Sequence, residues 1–157
     1  EQLSNESFNA IRGSTDSEHV FDMLCDELGD LRNTMSSAHM AGAFRRTIAR
    51  IRVLVDKHAA GEAIYLNAVL TDGASAVACR FTTDDPANAD SLYTNRGRRY
   101  VCEEGVCRML DPGETNGSAV MVSSEPLSAD TGWESVPVNH LLRIEPDLTV
   151  AREPIAA

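Results

Sequence analysis

Near Gly61 the apolar residues of this chain stop recurring at helical spacing and begin to alternate. That change of period constrains the fold more than any other feature, because a helix-period pattern does not settle as a strand. Upstream, Val20, Phe21, Leu24, Cys25, Leu28 and Leu31 share one face, which predicts a helix over about 15–32. Polar residues Asn33 to Ser37 lead to a second helix over about 38–60. Its stripe is Phe44, Ile48, Ile51, Leu54 and Val55, and Gly61 stands where a helix stop is expected. Downstream, Ile64 to Thr71 and Ala76 to Thr82 read as strands joined through Asp72-Gly73, a strong hairpin signal. The turn-rich residues 83–97 read as a long surface excursion. Arg99 to Glu103 and Val106 to Leu110 form a second predicted hairpin about Glu104-Gly105. Further strands follow at Ala119 to Ser123, about Asn139 to Ile144, and Leu148 to Arg152. Two helices followed by about six antiparallel strands make an α+β layered architecture, with 1–157 as a single domain.

Composition removes several classes of function. No apolar run approaches the ~18 residues that a spanning helix needs, so no membrane partner is expected. The formal charge of −10, from 24 acidic against 14 basic residues, argues against a nucleic-acid partner. Cys25, Cys79, Cys102 and Cys107 lack zinc-site spacing, so neither a metal nor another cofactor is expected. With no signal peptide in view, a reducing, cytoplasmic setting is the expectation. Cys102 and Cys107 flank Glu104-Gly105 as cross-strand neighbours, close enough for a disulfide, but are read as two reduced side chains. Arg45, Arg46, Arg50, Arg52 and Lys57 read as a solvated helix face that balances acidic neighbours or docks an acidic partner. His19, His39, His58 and His140 are scattered, and none is assigned a catalytic role.

The start of the first helix carries the candidate site. In Gly13-Ser14-Thr15-Asp16-Ser17-Glu18, Thr15 is placed as N-cap, with Glu18 closing a capping box three residues on. Asp16 then lies in the first turn. Capping and the helix dipole alone favour an acid there, by about 0.5–1 kcal/mol. The same carboxylate could instead grip an ammonium group in a partly dry pocket, where a charge-assisted hydrogen bond contributes about 1.5–3 kcal/mol.

Several segments, in order, extend that second reading. They are Ser14 to Glu18, Leu66-Asn67-Ala68-Val69-Leu70-Thr71-Asp72-Gly73, Ser91-Leu92-Tyr93, Val122 to Leu127, and Gly132-Trp133-Glu134-Ser135-Val136-Pro137-Val138-Asn139-His140-Leu141-Leu142. Together they resemble the C-terminal portion of the class II glutamine amidotransferases, N-terminal-nucleophile hydrolases that include the amidase subunit of a cytosolic glutathione-degrading complex. The resemblance implies a partial αββα sandwich, with the two helices as an outer layer over antiparallel sheets. It also implies a small-molecule substrate, glutamine or a γ-glutamyl compound. Asp16 would hold the substrate's α-amino group. In the family the nucleophile is an N-terminal cysteine activated by its own amine, and the oxyanion hole lies earlier in the domain. Residue 1 here is Glu1, so the catalytic residues are unknown, and a missing N-terminal segment or companion subunit is expected to supply them. The rival reading is a non-catalytic subunit or degenerate domain that serves as an interaction platform.

Overall fold

The computed structural model describes residues 3, 9, 11–30, 35–97, 99–110, 119–129 and 131–155. Helix α1 is Asp16–Leu28 and α2 is Ser37–His58. Nine strands follow among the described residues. They are β1 (Tyr65–Thr71), β2 (Ala76–Thr82), β3 (Tyr93–Gly97), β4 (Arg99–Glu103), β5 (Val106–Leu110), β6 (Ala119–Ser123), β7 (Glu134–Ser135), β8 (His140–Ile144) and β9 (Val150–Pro154). A single 3-10 turn, Pro86–Asn88, stands between β2 and β3.

The strands form a four-stranded sheet in the order β1-β2-β8-β9, a three-stranded sheet β6-β3-β7, and a two-stranded ribbon β4-β5. Alternation along β2 and β8 divides the core into two levels. Val77, Cys79, Phe81 and Leu141 face the helices and pack with Leu24, Leu28, Met40, Phe44 and Ile48. Ala78, Leu142 and Ile144 face the other way, onto Leu92, Val136, Val120 and Val122. The described residues therefore build three layers, helices over the large sheet over the small one, in an α+β fold.

Helix α1 is shorter than expected. Gly29 takes φ 75° and its N–H bonds Cys25 O at 3.1 Å, which ends the helix at Leu28. A positive φ of that kind suits glycine alone. Leu31, read as part of the stripe, lies outside the described residues. The core face of α1 is also turned from the expected one: Met23, Leu24 and Leu28 are buried, whereas Phe21 is 55% exposed.

Two strands escaped the sequence pattern. β3 lies inside the predicted excursion, and it is the central strand of its sheet, paired with β6 and β7. Its buried side chains include Thr94 and Asn95, so hydrophobic alternation is silent there. The short β7 is two residues, too brief to show a period. The last strand runs to Pro154 rather than Arg152, and Leu148 stands outside it with φ 63°.

Cys102 and Cys107 are joined by a disulfide, which corrects the expectation of two reduced side chains. They stand directly opposite each other in the β4-β5 register, so the pairing geometry brings the sulfurs together. Three of the five basic residues singled out on α2 are engaged rather than simply solvated. Arg46 and Arg50 both bond Glu27 of α1, and Arg45 bonds Glu153 of β9 at 2.6 Å. These contacts match the part of the reading in which acidic neighbours balance the face.

Candidate functional site

A groove of about 350 Å³ opens between the first turns of α1 and strand β1. Its walls are largely apolar, including Val20, Phe21, Leu24 and Phe44 from the helices and Leu66 and Ala68 from the strand. Asp16 and Ser17 stand at its helix N-terminal end, and Tyr65 and Asn67 contribute polar groups from β1. Among the described residues lining the groove, Asp16 carries the only formal charge.

Capping does not occupy Asp16. Thr15 is the N-cap, and its Oγ1 accepts from Glu18 N at 3.3 Å. The Glu18 carboxylate does not close the expected box on Thr15. It reaches further back, accepting from Arg12 N and Gly13 N at 2.8 Å each. Gly13 permits this close approach, because a Cβ there would stand 2.4 Å from Glu18 Oε2. Two neighbours thus hold the helix start, and no described residue hydrogen-bonds or ion-pairs with the Asp16 carboxylate. Although the residue is exposed, its side chain borders the groove instead of lying on flat surface.

The strand side of the groove is held from behind. The Tyr65 hydroxyl donates to Asp84, which also accepts from Asn88 Nδ2 at 2.9 Å. The bond to Asp84 raises the Tyr65 pKa, and the same bond and the Asn88 amide lower that of Asp84. Asn67 Nδ2 donates to Ser91 O at 2.9 Å, anchoring β1 to the segment before β3. At the other end of β1, Asp72 accepts from Ser75 N, Ala74 N and Met35 N, which lowers its pKa and ties the hairpin to the start of α2. Sequence reasoning placed β1 correctly but did not identify Tyr65 and Asn67 as groove residues. Alternation sets their side chains on the face opposite Leu66 and Ala68, which face the helices, so nothing local marks them as groove residues.

Neither free cysteine is poised as a nucleophile. Burial pushes the Cys79 thiol up to about 12. Burial first, then the negative charges of Asp22 and Asp26, raises Cys25. A thiol shifted upward is protonated at neutral pH and reacts slowly. His140 Nδ1 meets Val138 O at 2.9 Å and His39 Nε2 meets Leu28 O at 2.9 Å, both structural contacts. Among the described residues no three His, Cys, Asp or Glu side chains converge as a metal site. No described helix is long and apolar enough to cross a membrane.

Much of the resembling tail serves structure. Asn139, in the left-handed region at φ 58°, accepts from Thr82 N through Oδ1 at 2.9 Å, and its carbonyl accepts from Ile155 N at 2.8 Å. This one residue joins β2, β8 and the end of β9. Trp133 donates from Nε1 to Ser128 Oγ at 3.0 Å and closes its loop.

The stack of helices over two antiparallel sheets has counterparts among known proteins. The chain is 31% identical over 165 aligned positions to the probable glutamine amidotransferase DUG3 of Saccharomyces cerevisiae, covering 98% of this chain and 46% of that protein. The solved structure of a glutamine aminotransferase class-II domain protein from Silicibacter pomeroyi superposes with a TM-score of 0.69 at 25% identity, over 99% of this chain and 59% of that one. No family model matches the chain. The chain is similar to these glutamine amidotransferase proteins and spans about half their length.

Proposed function

We propose that this chain is the C-terminal, pocket-shaping portion of a hydrolase that cleaves a glutamine amide or a γ-glutamyl bond. Water and the amide give glutamate and either ammonia or an amine. Asp16 binds the α-ammonium group of the substrate, and the apolar walls of the groove keep that ion pair partly dry. The observation that carries this reading is the unpaired Asp16 carboxylate beside the groove, with capping already done by Thr15 and Glu18. A carboxylate at the groove mouth is a geometric match to a cationic amino-acid head.

The nucleophile and oxyanion donors belong to an N-terminal segment or companion subunit, because the thiols of Cys25 and Cys79 are both shifted away from reactivity. A γ-glutamyl substrate of the glutathione type and a cytoplasmic setting are parts of the same proposal. The chemistry of those thiols also favours the rival reading, a non-catalytic interaction platform. Assaying glutaminase and γ-glutamyl hydrolase activity in the complete protein, with and without Asp16→Ala, separates the two. We expect a loss of about 10–150-fold in kcat/KM, the value of one charge-assisted hydrogen bond. Unchanged kinetics would remove Asp16 from the site, and no activity in any assembly would leave the platform.

A further inference from the structure

The disulfide of the β4-β5 ribbon lies apart from both levels of the core. Cys102 and Cys107 enclose only Glu103, Glu104, Gly105 and Val106, and their Cα atoms stand 4.0 Å apart. A cross-link over so short a loop constrains the unfolded chain little. Cys102 is exposed and Cys107 half-buried, and the buried clusters on the two faces of the large sheet include Cys79 but neither of these. The bond therefore braces the ribbon and not the core. Exposed disulfides are the ones that an external thiolate can reach.

The ribbon keeps the two sulfurs together once their bond is broken. Glu104 and Gly105 have φ 50° and 82°, the left-handed pair that a two-residue hairpin turn requires. Cys102 and Cys107 form a closely spaced pair, so the ladder hydrogen bonds on either side join Glu103 with Val106 and Val101 with Arg108. Met109 packs over Gly97 of β3, so closely that a Cβ there would stand 2.2 Å from its Cγ. The Tyr100 hydroxyl donates to Leu127 O at 3.0 Å. Turn, ladder and these anchors need no sulfur. The remaining thiols stand out of the exchange. Cys79 is fully buried, its thiol pushed up to about 12, and Cys25 belongs to α1, in the helix layer.

We propose that Cys102 and Cys107 are a site of reversible thiol–disulfide exchange, through which a dithiol reductant sets how tightly the ribbon is closed. One thiolate of the reductant attacks Sγ of the exposed Cys102, the S–S bond breaks, and Cys107 leaves as a thiolate that takes up a proton. The second thiolate of the reductant then attacks the reductant's own sulfur in the mixed disulfide. Cys102 leaves and is protonated in turn. Two electrons and two protons have passed to the chain, and the reductant has become a disulfide. Re-oxidation by a small disulfide runs the same steps backward. The site stands independently of the amidase reading, because neither sulfur lines the groove beside Asp16.

The test reduces the complete protein with dithiothreitol, removes the reductant and adds oxidised glutathione. Free thiols are alkylated at each stage and located by peptide mass, and residue-resolved hydrogen exchange is measured on each state. The expected result is that Cys102 and Cys107 are labelled together after reduction and not after re-oxidation, while Cys79 stays unlabelled throughout. The amides of Val101, Glu103, Val106 and Arg108 should exchange about 10-fold faster or more in the reduced state. Those of Val77 to Arg80, in a strand paired on both sides, should stay slow. The double variant Cys102→Ser/Cys107→Ser should show the fast ribbon exchange with and without reductant. A pair that is reduced only when β2 also opens would be a staple of the fold and would overturn the proposal. So would ribbon amides equally slow in both states, or failure of oxidised glutathione to restore the bond between Cys102 and Cys107. Should the double variant fail to fold, reduction of the unmodified protein still decides.

Discussion

The two sides of the large sheet make opposite use of polar groups. On the β8-β9 side they are spent on each other. Arg143 bonds Ser37, Glu145 and Glu153, Ser37 bonds Glu145, and Arg45 completes the set through Glu153, locking α2 onto the sheet. On the α1-β1 side the Asp16 carboxylate has no hydrogen-bond or ion-pair partner among the described residues, and Phe21 and Val69 are more than half exposed. The saturated side locks helix to sheet, and the unsaturated side leaves the Asp16 carboxylate open to the groove on which the proposed function rests.

The widest gap between the sides should appear on truncation. Leu141 is fully buried between β2 and β9, under the helices, so Leu141→Ala is expected to cost about 2–5 kcal/mol in urea unfolding. A cost below about 1 kcal/mol would mean that the central core is loose. Asn139→Ala comes next, at about 1–3 kcal/mol, since it leaves Thr82 N unpaired and puts a non-glycine, non-Asn residue at φ 58°.

Acid should loosen the saturated side first. The hydrogen bond from Ser37, then Arg143, holds the pKa of Glu145 below the ordinary value, and the bond from Arg45 does the same most strongly for Glu153. Groups with lowered folded-state values contribute stability above the ordinary glutamate pKa, about 4.3, and lose it as pH falls through the lowered values. Urea midpoints should therefore fall in that acid window, and Glu153→Gln should flatten the fall. An equally steep profile in the variant would remove Glu153 from the account.

The smallest effect sharpens the contrast most. Because capping is done by its neighbours, Asp16→Ala should change stability by no more than about 0.5 kcal/mol, whereas Thr15→Ala should cost about 1 kcal/mol. Equal costs at both positions would return Asp16 to a capping role.

What the sequence alone reveals depends on how local each feature is. Both helices, the β1-β2 hairpin and the β4-β5 ribbon are local patterns, and a strong period or a turn pair announces each. Strand β3 was missed because Thr94 and Asn95 fill its buried positions, and Phe21 was misassigned because a helix stripe cannot say where the sheet beneath it ends. The disulfide was visible as a geometric possibility, but spacing does not report oxidation state. Asp16 was legible as a candidate from its segment. Its freedom from capping was not, since Glu18 bonds Arg12 and Gly13 rather than the N-cap.

The central claim is that Asp16 recognises an ammonium group, and comparing two substrates in the complete protein tests it directly. Glutamine carries that group, and its desamino counterpart, glutaramate, lacks it. The unmodified protein should prefer glutamine in kcat/KM, and Asp16→Asn should erase most of that preference, by about 10-fold or more, through glutamine alone. A preference that survives Asp16→Asn undiminished would contradict the account.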